Sequence, residues 1–535
     1  MIDKIRKSIE DAVNKARKSQ NWPNFEAKIV VDYPKDEQYG DFTTNIAMVL
    51  AKKLENPPAG GPLEIAQIIK ENIACDVIES VDIAAPGYIN ITLKKKNLQE
   101  IVVHINKLGK KYGESESGKG KKILIEFVSS NPTGPIHIGN ARGGPLGDTL
   151  ARVMEKSGFK TEREFYINDW GNQIEILGHS VLGDGEGQYK GDYIEDLRNK
   201  LNKNLTDPLE VGHWAAHMII QEYIKPTCKK SGIIFDHWYS ERDELHKKNK
   251  VDKIIDFLKK NDLTYEKDGA LWYKSTAYGD DKDRVLIKAD AKKTYIATDF
   301  AYHKEKVERG YDKLINIQGA DHHKEAQVVK SFVEKVLETK TSIDYILTQI
   351  VKIIQDGQEI KMSKRKGTYF ALDDLVEEVG RDAVRFIFLS YSPTNHINFD
   401  IDLAREQSEK NPVYYVQYAH ARISSILKKA DIMHFKFDKS SPVGLLEHQK
   451  ELNLIRELAK FPAIVEEISI SYEVHRLPFY AMKLADKFHS FYAECKVLDE
   501  RNSELTGARL NLVKAVKIVL AEVLDLMGVE APEKM

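Results

Sequence analysis

The chain has only three cysteines in 535 residues, Cys75, Cys228 and Cys495, far apart and odd in number. That argues against a disulfide framework and against a zinc site built on cysteine pairs. No apolar run approaches the ~18–20 residues that span a bilayer. The opening Met1-Ile2-Asp3-Lys4-Ile5-Arg6 is charged, with no apolar stretch behind it. Neither membrane insertion nor secretion is expected, and a reducing cytoplasm is the expected location. Charge of one sign is also lacking: the formal net charge is −2. Near-neutrality neither announces a nucleic-acid binder nor excludes one, because phosphate recognition depends on local Lys/Arg clusters. There is no internal repeat and no low-complexity tract. What remains, 42% hydrophobic and 30% charged residues, fits a soluble globular protein too long for one core, so three or more domains are expected.

Periodicity divides the chain. Residues 1–108 read as a small α+β module, with a helix over Ile5 to Ala16, a compact segment Tyr39-Gly40-Asp41-Phe42-Thr43-Thr44-Asn45, and a strand within Pro86 to Leu93. A Gly- and Lys-rich linker follows over 109–122. From Lys121, apolar strands alternate with helical periods, which predicts a parallel α/β sheet over about 120–365, interrupted by a helical insertion at about 181–268. A connector covers 366–404. Beyond 405 long amphipathic stretches dominate, and an all-α bundle is expected to close the chain.

Two short segments carry chemistry. The first is Asn131-Pro132-Thr133-Gly134-Pro135-Ile136-His137-Ile138-Gly139-Asn140, between the apolar stretch Ile123–Val128 and a helical stretch through Lys156. Strand, Gly/Pro turn and helix start together favour an anion, through free N–H groups and the helix dipole. His137 and Asn140 are candidate donors to a phosphate, and Gly139 permits close approach of a nucleotide. The second is Lys361-Met362-Ser363-Lys364-Arg365, bounded by Gly357 and Gly367, a lysine-rich loop able to neutralise a triphosphate. Alone, His137 is as well read as an ordinary turn histidine and the lysines as a solvated turn; the ordered pair points elsewhere. It suits attack of a carboxylate on the α-phosphorus of ATP, where positioning and charge stabilisation do most of the work. Asp321-His322-His323 makes a poor metal set, because neighbouring side chains diverge. Contact of Asp321 and His322 with nucleotide at the carboxyl edge of a parallel sheet is the better reading. Magnesium is expected to arrive with ATP, and no protein-bound zinc is expected.

The two segments resemble the HIGH and KMSKS motifs of class I aminoacyl-tRNA synthetases. Asn140 stands where the usual first motif has His, and Arg365 where the second has Ser. Other segments resemble arginyl-tRNA synthetase: Asn168-Asp169-Trp170-Gly171-Asn172-Gln173, Phe235-Asp236-His237-Trp238-Tyr239-Ser240-Glu241, Thr294 through His303, Gly319-Ala320-Asp321-His322-His323, and Asn411 through Arg422. So do Gly40-Asp41…Asn45 and the ending Gly528–Met535, so the similarity runs over nearly the whole chain. The fold implied is a Rossmann-type catalytic domain with an N-terminal α+β domain and a C-terminal helical bundle. The activity implied is ligation of arginine to its tRNA through an arginyl-adenylate, with activation depending on bound tRNA. Rivals are a synthetase for another amino acid, disfavoured by the lack of a Cys/His zinc cluster or an obvious editing insertion, and a non-catalytic paralogue that binds tRNA.

The resemblance also assigns residues. His137, Asn140, Lys361 and Lys364 are catalytic, with Lys364 the more important lysine; Pro132, Gly134, Gly139, Asp321, His322, Met362 and Ser363 bind ATP. Tyr295 and Asp299 line the arginine pocket, Asp299 taking the guanidinium, whose planar fork matches a carboxylate. Asn131 holds the α-amino or carboxylate end, with Glu126, Ser129 and Gln318 nearby. In the last domain Val413, Val416, His420 and Ile423 form a core stripe, while Tyr415, Tyr418 and Arg422 share a neighbouring face suited to unstacked anticodon bases. From Arg405 onward 19 Lys+Arg face 19 Asp+Glu, so stacking and not bulk charge must draw RNA there. Gln417, Tyr492 and Met535 are further RNA candidates, and Asn45 one in the N-terminal module, which is expected to hold the tRNA elbow. A monomer is expected.

Overall fold

The computed structural model describes residues 2–23, 28–34, 36–360, 371–435 and 442–535. Its centre is a five-stranded parallel sheet in the order Ser342–Thr348, Lys313–Gly319, Lys122–Glu126, Lys160–Ile167, His237–Ser240. In chain sequence that is 5-4-1-2-3, the doubly wound order, whose reversal point lies between Lys122–Glu126 and Lys313–Gly319. The first strand is apolar on both faces, as a strand with helices on either side must be: Ile123, Leu124 and Ile125 are all buried. The parallel sheet is the one the alternation predicts, and its order is that of the Rossmann-type fold the resemblance implies. Across three strands, Asn316, Glu126 and Glu164 fall in register and are buried. A polar row inside a sheet core must be satisfied by something packed on it.

The expected insertion at 181–268 begins with helices Asp192–Lys200 and Pro208–Ile219, but it also contains His237–Ser240, the third strand of the sheet. Only Tyr239 of those four residues is buried, so no apolar run marks the strand in the sequence.

By contact density the chain forms two units. One comprises residues 1–109, 426–460 and 487–518; the other comprises 110–425, 461–486 and 519–535. In the first, a three-stranded antiparallel sheet, Phe42–Thr44, Tyr88–Leu93 and Ile78–Ala84, packs with helices Ile2–Gln20, Ile46–Lys53 and Gly61–Asn72. Buried Asp41 of the Gly40-Asp41 element accepts from Leu93 N and from Arg456 Nε, which closes that module on itself. Four long helices, Pro412–Ile432, Gln449–Ser471, Arg476–Glu494 and Ser503–Leu526, make up most of the C-terminal region. Among the described residues no helix is long and apolar enough to cross a membrane.

Candidate active site

Beyond the first strand the backbone turns through Val128 and Ser129 at φ of 69° and 40°. Positive φ is costly for a β-branched residue, and such strain persists where surroundings over-determine it. Here the Ser129 hydroxyl donates to Glu126 Oε1 at 3.0 Å and accepts from Tyr166 N at 3.1 Å. The chain then reaches the short helix Ile138–Ala141, capped by His137, whose Nδ1 accepts from Gly139 N at 3.0 Å. A ring nitrogen that accepts leaves the imidazole proton on Nε2, so the histidine presents a donor. A Cβ at position 139 would sit only 3.1 Å from that Nδ1. The next helix, Gly143–Lys156, starts against the strand end because Gly147 has no Cβ to meet the Phe127 ring, 2.2 Å from where one would be. Pro132 is buried, Gly134 faces the Tyr193 ring, and Asn131, Gly139 and Asn140 are exposed.

Lys361, Met362, Ser363 and Lys364 lie outside the described residues. Both flanks of their segment are described. It leaves the hairpin Val351–Gln355/Gln358–Glu359, with Ile360 N donating to Ile353 O at 2.9 Å. It returns at Ala371, which bridges antiparallel to His137, while Leu372 N donates to Ile136 O at 2.9 Å. The return point of the lysine segment is thus joined by backbone to the first motif. Arg142 adds a second anchor: buried, it donates to the carbonyls of Gln349, Ser392 and Asn395 at 3.0, 2.6 and 2.6 Å, and burial lowers its pKa to about 10.

Gln318 is the last residue but one of the strand beside the first, half-buried, its carbonyl accepting from Thr348 Oγ1 at 3.2 Å. Asp321 and His322 follow in the exposed turn after that strand. Among the described residues no three His, Cys, Asp or Glu side chains gather as a metal cage.

The helix Tyr295–Glu308 carries the rest of the pocket. Tyr295, on its first turn, is 70% exposed, and Asp299 lies one turn on, partly buried. Burial and the neighbouring Glu241 and Glu126 push the Asp299 carboxyl up to about 7. Glu241 is buried and accepts from, or pairs with, His246 Nε2 at 3.0 Å; His246 stacks on Trp170 at 4.3 Å between ring centroids. Burial, with Glu241 and Asp299, also holds the Tyr166 phenol well above its ordinary range. Glu126 is different. Buried Lys306 donates to it and to Asn316 Oδ1, so its charge is already answered. Glu164 is answered likewise by Arg309, through two bonds of 2.6 and 2.8 Å, and by Tyr302 OH at 2.6 Å. His303 completes the row: Nδ1 donates to Asp299 O and Nε2 accepts from Asn316 Nδ2, each at 2.8 Å, and burial lowers its pKa to about 3.

The geometry therefore groups Glu126, Ser129 and Asp299 at one strand end, and adds residues that the sequence reading did not assign: Glu241, Tyr166, Lys306 and Arg142. Glu241 had a weak signal, as the last residue of the segment Phe235–Glu241 that carries the resemblance. Asp169, in the same group of motifs, is a structural tie, accepting from Ser240 Oγ at 2.6 Å and Arg242 N at 2.9 Å.

On the helix Pro412–Ile432, Val413, Val416, His420 and Ile423 are buried as expected. Tyr418 is exposed and accepts from Arg422 NH1 at 3.4 Å, and Tyr415 is half-buried. The amide of Gln417 is engaged by Asp382 Oδ2 and Glu530 O, at 2.8 and 3.0 Å. Tyr492 is half-buried beside Phe488, Met535 is 56% exposed, and Asn45 is exposed with no capping bond from its side chain.

Three family models match: Arginyl tRNA synthetase N terminal domain at residues 3–93, tRNA synthetases class I (R), catalytic domain, at 97–206 and 192–390, and DALR anticodon binding domain at 416–535. The chain is 42% identical to the arginine–tRNA ligase of Caldanaerobacter subterraneus subsp. tengcongensis, with 100% of each covered. It is 42% identical to that of Geobacillus kaustophilus over 95% of this chain and 94% of the relative. The solved Thermus thermophilus arginyl-tRNA synthetase has a TM-score of 0.77 over 99% of this chain and 100% of that one, at 20% identity, and so the same fold.

Proposed function

Since the chain belongs to the arginyl-tRNA synthetases, and so charges arginine to its tRNA as a class I synthetase with ATP as substrate, we propose how its own residues divide that work. Asp299 takes the guanidinium, helped by Glu241, with Tyr295 at the mouth. The observation that carries this is a carboxyl pushed up to about 7, by burial first and then by two other acids, Glu241 and Glu126, beside the reversal point of the sheet. A cation of the right shape relieves that repulsion, and lysine, lacking the fork, leaves acceptors unpaired. Asn131 and Ser129 hold the α-amino or carboxylate end and Gln318 borders it. Glu126 acts through Ser129 and Lys306.

Nucleotide lies along Pro132, Gly134 and Gly139, with Asp321 and His322 on its other side. In the first step the arginine carboxylate attacks the α-phosphorus, arginyl-adenylate forms and diphosphate leaves. His137 Nε2 and the Asn140 amide donate to phosphate oxygens as charge develops, so a neutral donor suffices at 140. Lys361 and Lys364, flanked by Met362 and Ser363, grip the leaving phosphates; their segment is suited to this because it returns at Ala371, against His137. Magnesium travels on the phosphates. In the second step a ribose hydroxyl at the tRNA 3′ end attacks the adenylate carbonyl and AMP leaves.

For the tRNA, residues 1–108 hold the elbow with Asn45, residues 366–404 meet the stem, and 405–535 read the anticodon. Tyr415, Tyr418 and Arg422 face the RNA, and Tyr492 and Met535 join them. Gln417, its amide held by Asp382 and Glu530, is given a positioning role instead. The protein works as a cytoplasmic monomer, and bound tRNA is needed for activation. ATP–diphosphate exchange tests this: exchange should require arginine and an arginine-accepting tRNA together, with lysine inactive. Exchange with lysine, or none despite tRNA binding, would contradict the reading.

A further inference from the structure

The last residues of the chain lie between two elements with different tasks. Asp382 lies in the first turn of the helix Arg381–Leu389, which follows the helix Leu372–Val379 and so the return point of the lysine segment. A single oxygen, Asp382 Oδ2, accepts from Gln417 Nε2 at 2.8 Å and from Glu530 N at 3.0 Å. Gln417 also donates to Glu530 O at 3.0 Å, Arg381 pairs with the Glu530 carboxylate at 2.9 Å, and His420 Nδ1 donates to Pro532 O at 2.8 Å. Gln417 and His420 sit on the same helix as Tyr418 and Arg422, the proposed RNA face.

One turn beyond Asp382, Arg385 is wholly buried and uses its whole guanidinium. Nε donates to Met527 O at 2.6 Å, NH1 to Ser231 O and Gly232 O at 3.2 and 3.0 Å, and NH2 to Asp148 Oδ2 at 2.6 Å. Asp148, also wholly buried, belongs to the helix Gly143–Lys156 that begins behind His137. Ser231 and Gly232 precede the strand His237–Ser240, which Glu241 follows. Arg385 thus touches the tail, the helix of the first motif, and the lead-in to the arginine pocket. Gly528, Val529, Glu530 and Ala531 border a cavity of about 840 Å³ that Gly232 and Ile233 also line, while Gly528 itself lies so close against the Arg385 guanidinium that a Cβ there would be 2.5 Å from it.

We propose that the tail Met527–Pro532 is a strut that couples the RNA face of the Pro412–Ile432 helix to arginine activation, with Asp382 and Arg385 as positioning residues at its two joints. The proposal rests on the reading that activation needs tRNA. Bonded contact between distant elements is only a geometric warrant, so the test must measure coupling. D382A removes one joint. D382N keeps an oxygen where both N–H groups already point; it gives up the charge and the bond that Arg381 Nε donates to Oδ1 at 3.1 Å, while Arg381 still pairs with Glu530. Q417M cuts the same joint from the other side.

Exchange is measured for the wild type and each variant with an arginine-accepting tRNA and with one whose anticodon bases are altered, alongside tRNA Kd. In the wild type the altered tRNA should lower exchange kcat about tenfold or more. In D382A and Q417M, kcat with intact tRNA should fall to that same level, the altered tRNA should cost nothing further, and Kd for intact tRNA should stay within about threefold. D382N should behave as wild type. Effects of variant and anticodon that multiply independently, or a D382N as impaired as D382A, would overturn the strut while leaving tRNA dependence intact. Wild-type exchange that runs equally well without tRNA would overturn the tRNA-dependence reading and the strut with it.

Discussion

The helix Tyr295–Glu308 has two faces that treat acid oppositely. Toward the sheet, Lys306 answers Glu126 and Arg309 answers Glu164, so every buried carboxylate there has a cation at bonding distance. Toward the pocket, Asp299 meets Glu241 and Glu126 with no cation paired to it among the described residues, and burial, then these two acids, raises its pKa to about 7. The same helix thus holds a finished electrostatic arrangement and an unfinished one. The finished face is scaffold; the unfinished one is the face proposed to take the guanidinium. A buried acid is therefore informative according to whether its counter-charge comes from the chain or must come from a ligand.

If that contrast is right, removing the acid on the open face and the base on the closed face should fail differently. D299N should lower kcat/KM for arginine about 10³-fold, ~4 kcal/mol, as expected for one member of a buried charge pair, with little change in thermal unfolding. K306M should do the reverse first, lowering unfolding free energy by ~3–5 kcal/mol because Glu126 is left buried and unpaired, and adding E126Q should restore most of it; urea titration reads both. Equal stability losses in D299N and K306M would erase the distinction.

The pH dependence sharpens it further. Asp299 must be ionised to hold a guanidinium, so arginine affinity should fall by up to about tenfold per pH unit below pH 7 and level off above it. E241Q removes one of the acids that raise Asp299, and the onset of the fall should move to lower pH while the plateau affinity weakens. An unmoved onset would mean that Glu241 does not face Asp299. The smallest expected effect lies away from this helix: Y418A should weaken tRNA binding by ~1–2 kcal/mol, about tenfold, without changing arginine affinity.

Much of this was legible in the sequence, for identifiable reasons. The apolar run Ile123-Leu124-Ile125, resumed at Phe127-Val128, reads as a buried strand or helix, and the Gly/Pro punctuation after it selects the strand. The strand His237–Ser240 was not legible, since it is four residues long with one buried, and only pairing with Glu164–Ile167 defines it. Lys306 reads as a solvated helical lysine, because its partner Glu126 lies 180 residues away. Gln417 was an RNA candidate by resemblance, and a sequence cannot show that the chain's own tail occupies its amide. Asp299 was reached by resemblance; its electrostatic reason, two further acids converging on it, exists only in three dimensions.

The most direct test is calorimetry of arginine binding at pH 6.5 in buffers of differing ionisation enthalpy, with tRNA present at saturation, for wild type and D299N. Completion of the open face by a guanidinium requires most of one proton to leave as arginine binds the wild type, and none to leave in D299N. Binding with no proton released, or with the same release in both proteins, would contradict the account.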